Sequence, residues 1–296
     1  MMKNFNINFI VFSPTPTYID YIGGVMVCHS LANSLSTLGE NSYIYANETK
    51  SVYNTHTIPW GTDLEFDKEN TILILPAGAG EHTFENYIPE NLNSIPNKIR
   101  WLINDQVKLY SNEDQLYKYC DYFKSFNNNS ILNNLSSIDI EYDIFYNKKL
   151  ERSGGCFYTK GQTIQTKHHK DSDICLDNIY QIPQQERNPY LARIFNETEY
   201  FICYSHRSFT AVLAALCGCI VIVIPYDDTS YEYWVNNFPT MKYGISYGFN
   251  PNNIKHAKTT THLVKKNLQK FESDCIHSIS KMRDNSYKWL QQKYKI

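Results

Sequence analysis

Short apolar runs alternate with segments of helical periodicity along the first 140 or so residues. Residues 7–12 are mostly apolar and predict a buried strand, and apolar side chains at Val27, Leu31 and Leu35 predict a helix that Gly39 ends. Further strands are predicted at residues 43–45, 71–75 and 99–103. Strands separated by helices or long loops are typical of a parallel sheet covered on both faces, so we expect an α/β domain here.

The same alternation restarts after a polar stretch at residues 127–137. Strands are predicted at residues 155–159, 179–182, 200–204 and 220–224, and helices at residues 189–195 and 210–217. This pattern indicates a second α/β domain.

The last segment has the pattern of an amphipathic helix. Its stripe is Cys275, Ile279, Met282, Ser286 and Trp289, at alternating steps of four and three. Its basic residues are Lys281, Arg283, Lys288, Lys293 and Lys295. They are explained either by a solvated face or by peripheral contact with an anionic membrane surface.

The composition is that of a folded globular protein, with 42% hydrophobic and 20% charged residues. Lys and Arg (28) nearly balance Asp and Glu (30), which argues against nucleic acid as the main partner. The longest apolar stretch, residues 211–225, is shorter than the ~20 residues that span a bilayer, and no secretory signal is evident. We therefore expect a cytoplasmic protein, whose eight cysteines, without a CxxC pair, are reduced and mostly buried.

Ligands of α/β domains bind beyond the carboxyl ends of the strands, so the residues that follow each strand are candidates. After the first strand, Gly23 and Gly24 open a helix and let its N–H groups approach an anion or a sugar. Asp20 is the carboxylate of that loop, where it serves either as a general base or as a turn or helix cap. His29 and His82 are the rival bases.

A second glycine-rich segment follows the third strand. Gly78 and Gly80 match half of a dinucleotide fingerprint, but Thr83 stands at the third glycine position. A nicotinamide oxidoreductase is therefore a weaker hypothesis.

Basic residues surround a short strand of the second domain. Arg152 precedes it and Lys160 follows it, which suits either a bound diphosphate or two solvated strand ends. Further along, Arg207 with Ser208 and Thr210 precedes or opens a helix, where such residues either cap the helix or bind phosphate. The DxD segment at residues 171–173 follows charged residues instead of an apolar strand, so we expect a solvated loop there.

Taken in order, six sequence elements resemble a group of small GT-B glycosyltransferases of polysaccharide and surface-glycan loci. The resemblance runs from about residue 9 to about residue 273. The elements are Gly23-Gly24-Val25 with Cys28-His29-Ser30-Leu31 and Leu38-Gly39, Ile99-Arg100-Trp101-Leu102-Ile103-Asn104, Arg152-Ser153-Gly154-Gly155 with Lys160-Gly161, Phe201-Ile202-Cys203-Tyr204, Ala214-Ala215-Leu216-Cys217-Gly218-Cys219 with Val223-Ile224-Pro225, and Tyr243-Gly244-Ile245-Ser246-Tyr247-Gly248.

The resemblance implies two Rossmann-like domains that face a cleft. Residues 1–145 would be the acceptor-side domain, residues 146–272 the nucleotide-sugar donor domain, and residues 273–296 a helix that crosses back onto the N-terminal domain. Such enzymes generally need no metal and no cofactor, because basic side chains and a helix N-terminus offset the charge of the leaving diphosphate.

Two departures from related sequences concern acidic positions. Ser205 and Leu213 stand where the large retaining GT-B family has two glutamates, and in the close group we also expect an acid at Ser205. The retaining stereochemistry of that family therefore does not carry over.

We expect a hexosyl- or pentosyltransferase that moves a sugar from a nucleotide-diphosphate donor to a hydroxyl of a glycan or glycolipid acceptor. The alternative is a non-catalytic nucleotide- or glycan-binding protein of the same fold that assists a partner enzyme. The predicted catalytic residues are Asp20 and His82. The predicted donor-binding residues are Gly23, Gly24, Arg152, Lys160, Arg207, Ser208 and Thr210.

Overall fold

A computed structural model describes residues 6–20, 23–62, 66–77, 88–103, 114–119, 133–162, 164, 166–225 and 229–295. The chain forms two compact units. The first is Met1–Asp139 together with Glu272–Ile296, and the second is Ile140–Phe271.

The described strands of the first unit form a seven-stranded sheet. They are β1 (Asn8–Phe12), β2 (Asn41–Tyr45), β3 (His56–Ile58), β4 (Thr71–Ala77), β5 (Lys98–Leu102), β6 (Gln115–Lys118) and β7 (Asn133–Asn134). Their order is β3-β2-β1-β4-β5-β6-β7, and every pairing is parallel. This is the order of a doubly wound, Rossmann-like sheet, with its switch point between β1 and β4.

Three described helices contribute to the first unit: α1 (Gly23–Thr37), α2 (Glu90–Asn93) and the later part of the last helix, α7 (Val264–Tyr294). Alternate residues of β1 face opposite sides of the sheet. Phe9 and Val11 join one apolar core with side chains of α1 and α7, and Ile10 and Phe12 join a second core on the other face. Both faces are buried, which explains why the predicted strand at residues 7–12 reads as a nearly continuous apolar run.

The predicted apolar stripe of α7 is confirmed, with one change at its end. Ile279, Met282 and Ser286 are fully buried, and the Ser286 hydroxyl donates to the Met282 carbonyl at 2.9 Å. Leu290 is also fully buried, whereas Trp289 is half-buried beside the core and carries the Lys293 ammonium over its ring at 5.4 Å. Leu290 therefore closes the stripe in place of Trp289.

The described strands of the second unit form a five-stranded sheet. They are β8 (Gly155–Tyr158), β9 (Ile174–Cys175), β10 (Tyr200–Cys203), β11 (Ile220–Val223) and β12 (Ile245–Tyr247). Its further helices are α3 (Gln184–Glu197), α4 (Phe209–Leu216), α5 (Tyr231–Asn237) and α6 (Pro251–Thr260). The order β12-β11-β10-β8-β9 is again wholly parallel and doubly wound, with its switch point between β8 and β10.

The strand predicted at residues 179–182 is wrong. Residues Ile179–Gln181 form a single 3-10 turn, and the Arg187 guanidinium supplies hydrogen bonds to carbonyls of this segment that a strand partner would otherwise supply. It donates to the carbonyls of Ile179 at 3.0 Å and Ile182 at 2.8 Å. The following helix also begins earlier than predicted, at Gln184, where the Pro183 carbonyl accepts the first helical hydrogen bonds.

Among the described helices, none combines the length and the apolar character needed to cross a bilayer.

Gly155 offers a test of the packing at the start of β8. A methyl group at this position would overlap the ring of Tyr200, whose hydroxyl is held by Asp173 at 2.8 Å. We expect Gly155→Ala to lower the free energy of unfolding by about 1–3 kcal/mol, measured by chemical denaturation.

Gly23→Ala is the matched control, since a methyl group there meets nothing within 4 Å. It should leave the unfolding free energy unchanged or slightly raised. Equal stability of the Gly155→Ala variant and the wild type would contradict the packing at Tyr200.

Candidate functional site

The switch point of the second sheet brings two predicted binding segments together. Strands β8 and β10 run side by side, with Tyr158 in register with Cys203 at their carboxyl ends. Lys160 follows β8, and Arg207 and Ser208 follow β10. In open parallel sheets the crevice outside these strand ends is where ligands bind.

Lys160 and Arg207 place two positive charges near each other at this edge. Loss of solvation lowers the pKa of the Lys160 ammonium most, and the charge of Arg207 lowers it further, against an opposing effect of Cys203. Two cations held within electrostatic reach of each other repel, and an anion bound at both would relieve that repulsion.

The start of α4 lies on the same edge. Ser208 is the N-cap residue, is 4% exposed, and donates its backbone N–H to the Ser205 carbonyl at 3.2 Å. Its side chain makes no capping hydrogen bond to the helix. Burial raises the pKa of the Cys203 thiol, at the end of β10, to about 11. The first amides of a helix lack partners within it and carry its positive dipole end, so this end suits an anion. Thr210 is half-buried in the first turn.

Arg152 lies at the other end of β8 and is not brought to Lys160. Its guanidinium donates to the carbonyls of Phe195 at 2.5 Å, Thr198 at 3.1 Å and Cys217 at 2.6 Å. These carbonyls lie at the carboxyl ends of α3 and α4, just before β10 and β11 begin. The structure therefore shows Arg152 in a clamp on two helix ends, at the edge opposite the two converging cations.

In the first unit, the predicted residues Asp20, Gly23 and Gly24 follow β1 along the chain. Gly23 and Gly24 open α1, and a methyl group on Gly24 would contact Ile103 at 3.3 Å. Asp20 is half-buried in the preceding loop. His82, like Gly78 and Gly80, lies outside the described residues.

His29 is buried in the first unit, with both ring nitrogens engaged. Nδ1 lies 2.8 Å from the Thr49 hydroxyl and Nε2 lies 3.2 Å from the Ser13 hydroxyl. The Tyr18 ring packs edge-on against the imidazole at 5.1 Å between centroids. Burial lowers the pKa of His29 to about 4, so the ring is neutral at pH 7.

The DxD segment serves other contacts in the structure. Asp171 is exposed and pairs with Lys167, and Asp173 accepts the Tyr200 hydroxyl at 2.8 Å and the Lys170 N–H at 2.8 Å. Within the described ranges, no group of three or more His, Cys, Asp or Glu side chains is arranged to hold a metal ion.

Two features of this edge were missed from the sequence. The Tyr204 hydroxyl accepts the His168 N–H at 2.8 Å and lies 2.9 Å from Nδ1 of His169. Asp177 binds the turn that carries Lys160, with its carboxylate 2.7 Å from the Thr159 nitrogen. Strand β9, which precedes Asp177, has only two residues and carries no sequence pattern that would reveal it.

Comparison with known proteins leaves the family open. No family model matches the sequence, and no curated protein sequence matches it. Among solved structures, a glycosyltransferase from Rickettsia africae ESF-5 is similar, with a TM-score of 0.46 and 10% sequence identity over 98% of this chain and 97% of that chain.

Buried His29 predicts a loss of stability in acid. Its pKa is about 4 in the folded protein against 6.5 ordinarily, so the unfolded chain takes up a proton first. The stabilisation by neutral His29 is therefore complete above pH 6.5. As the pH falls from 6.5 to 4, the free energy of unfolding decreases by about 3 kcal/mol in total. Chemical denaturation at several pH values measures this.

His29→Gln removes the titrating group and should flatten that part of the stability profile. His277→Gln, at an exposed position of α7, is the control and should keep the wild-type profile. Identical profiles for His29→Gln and the wild type would show that His29 does not cause the acid sensitivity.

The clamp at Arg152 predicts a stability defect. Arg152→Met leaves three backbone carbonyls without their donor, so the free energy of unfolding should fall by about 1–3 kcal/mol. Arg193→Met is the control. Arg193 on α3 forms an exposed pair with Glu197 and lies over the Tyr190 ring at 5.4 Å, and each contact is worth about 0–1 kcal/mol. Equal effects of the two substitutions in thermal or chemical unfolding would argue against the clamp.

Proposed function

We propose that the protein is a glycosyltransferase that moves a sugar from a nucleotide-diphosphate donor to a hydroxyl of a glycan or glycolipid acceptor. The observation that carries this proposal is the placement of Lys160 after β8 and of Arg207 after β10, at the switch point of the second sheet and just before α4. The resemblance of the sequence elements to GT-B glycosyltransferases supports the same function.

The chemistry of the leaving group suits these residues. Breaking the bond between sugar and phosphate leaves a diphosphate with additional negative charge, which must be stabilised in the transition state. Lys160 supplies a point charge, Arg207 supplies a planar group that can bind two phosphate oxygens, and the start of α4 supplies backbone N–H groups near Ser208 and Thr210. In this proposal the reaction needs neither a metal ion nor a cofactor.

The acceptor side of the proposal lies in the first unit. A base there would take the proton of the attacking hydroxyl. Asp20 is our first candidate, with His82 as the second, and Gly23 and Gly24 would line the donor phosphate or sugar. His29 is a weaker base, because its two nitrogens already contact Ser13 and Thr49.

The GT-B arrangement is part of the same proposal. It has two Rossmann-like domains around a cleft, at residues 1–145 and 146–272, and a helix at residues 273–296 that returns to the first domain. The order of the two parallel sheets is compatible with Rossmann-like domains. The exposed Lys281 and Lys288 of α7 would allow peripheral contact with an anionic membrane.

One observation supports a second function, a non-catalytic binding protein. Ser205 stands where related sequences lead us to expect an acid, and it is 5% exposed, with its carbonyl accepting the Cys203 thiol and the Ser208 N–H. The position therefore shapes the backbone before α4 and supplies no carboxylate. Binding of a nucleoside diphosphate without turnover of any donor, across a broad panel of acceptors, would favour this function.

The donor site is tested by thermal unfolding with UDP, GDP, CMP, TDP and NAD, each with Mg²⁺ and with EDTA. A ligand at 100 times its Kd adds about 2.7 kcal/mol of stability. We expect a rise with UDP, GDP or TDP in EDTA as well as in Mg²⁺, followed by donor turnover. A rise with CMP or NAD alone, or the absence of a rise with every nucleotide, would refute the proposal.

Substitutions then locate the site. Lys160→Met and Arg207→Met should each weaken binding of that nucleotide at least about tenfold, the loss of a charge-assisted contact. Lys258→Met, at an exposed position of α6, is the control and should leave the Kd unchanged. Unchanged affinity in both site variants would show that the nucleotide binds at another place on the protein.

A further inference from the structure

The turn that carries Lys160 adopts a backbone conformation that lysine disfavours. Lys160 has φ 56° and Gly161 has φ 71°, and the Gln162 N–H closes the turn on the Thr159 carbonyl at 3.1 Å. Two successive positive φ values are the pattern of a type I′ turn, in which glycine, asparagine and aspartate predominate. A side chain with a Cβ is unfavourable in this left-handed region, so something else must hold the turn.

The Asp177 carboxylate makes the contacts that hold it. One oxygen accepts the Thr159 N–H at 2.7 Å and the Lys160 N–H at 3.2 Å, and the other accepts the Thr159 hydroxyl at 2.6 Å. The Thr159 hydroxyl oxygen in turn accepts the Gly161 N–H at 3.2 Å. With the Gln162 bond, each backbone N–H of residues 159–162 has a partner, and the contacts at residues 159–161 depend on Asp177 directly or through Thr159.

Strand β9 explains how Asp177 reaches the turn. It pairs in parallel with β8, with Phe157 in register with Cys175, and the Leu176 N–H donates to the Phe157 carbonyl at 2.9 Å. Continuing this register by two residues places Asp177 beside Thr159. Leu176 is 1% exposed and anchors the segment in the core.

We propose that Asp177 is a positioning residue: its carboxylate holds the Thr159–Gln162 turn in the left-handed form and so keeps Lys160 at the carboxyl end of β8, at the same sheet edge as Arg207, for binding of the donor diphosphate. The inference rests on the proposed function for the identity of the ligand. The lysine at a position that favours glycine is then explained, because its charge is needed at that place. Asparagine or glycine at position 160 would adopt the left-handed conformation at lower energetic cost but would supply no positive charge.

The test is a double-mutant cycle with the nucleoside diphosphate that binds the wild type most tightly in the thermal panel. Its Kd is measured by calorimetry for the wild type, Asp177→Ala, Lys160→Met and the double variant. We expect Asp177→Ala to weaken binding about tenfold in the wild type and by less than about twofold when Lys160 is already replaced. Asp177→Asn, which keeps one carbonyl oxygen for the backbone N–H groups, should fall between Asp177→Ala and the wild type.

Asp173→Ala is the matched control, because Asp173 is a buried carboxylate of the same segment that contacts Tyr200 and Lys170. It should destabilise the unit without changing the Kd. An equal loss of affinity from Asp177→Ala in both Lys160 backgrounds, or no loss in either, would overturn the positioning role.

Hydrogen exchange separates this inference from the proposed function. The amides of residues 159–161 should lose protection in Asp177→Ala and keep it in Asp173→Ala, whether or not a nucleotide binds. Protection that persists in Asp177→Ala refutes the role of Asp177 in the turn. A different result would refute the proposed function: Asp177→Ala loses protection as expected, but the wild type binds no nucleoside diphosphate. In that case Asp177 holds the turn, and the diphosphate is not the ligand of Lys160.

Discussion

Parallel pairing of β8 with β10 on one side and β9 on the other is the constraint from which the candidate donor site follows. Because the strands run in the same direction, the residues after each strand emerge at the same edge of the sheet. That edge receives Lys160 after β8, Arg207 after β10 and Asp177 after β9. The residues are far apart in the chain, and the hydrogen-bonding register of the strands alone brings them together.

The two ends of this sheet have different physical roles. At the amino end, the Arg152 guanidinium satisfies carbonyls at the ends of α3 and α4, which would otherwise be left without donors as the chain turns into β10 and β11. At the carboxyl end, Lys160 and Arg207 lie within electrostatic reach of each other, and the local backbone of Lys160 is unfavourable. One end satisfies its polar groups internally, and the other holds features that favour the binding of an anion.

The first unit also satisfies buried polar groups internally, with different residues. Its sheet is covered on both faces, and the α7 stripe supplies part of one core. His29 follows the start of α1 and has the chemistry of a base, yet its nitrogens contact Ser13 and Thr49 beneath Tyr18. A histidine in this setting contributes packing and buried hydrogen bonds, and its low pKa follows from the burial that makes those contacts possible.

The sequence by itself determined the α/β class, the strands at residues 7–12, 155–159 and 220–224, and the amphipathic stripe of α7. These features depend on local patterns of apolar side chains, which the chain carries wherever it folds. It also marked Lys160, Arg207 and Ser208 as candidates, since each lies just after a strand or at a helix start. The tertiary structure decided the rest. It showed that residues 179–182 form a turn around Arg187, that Arg152 binds helix ends, and that Asp177 holds the Lys160 turn. Each of these is a hydrogen bond between a side chain and the backbone, over separations from 5 to 65 residues, and such a bond leaves no periodic pattern along the chain.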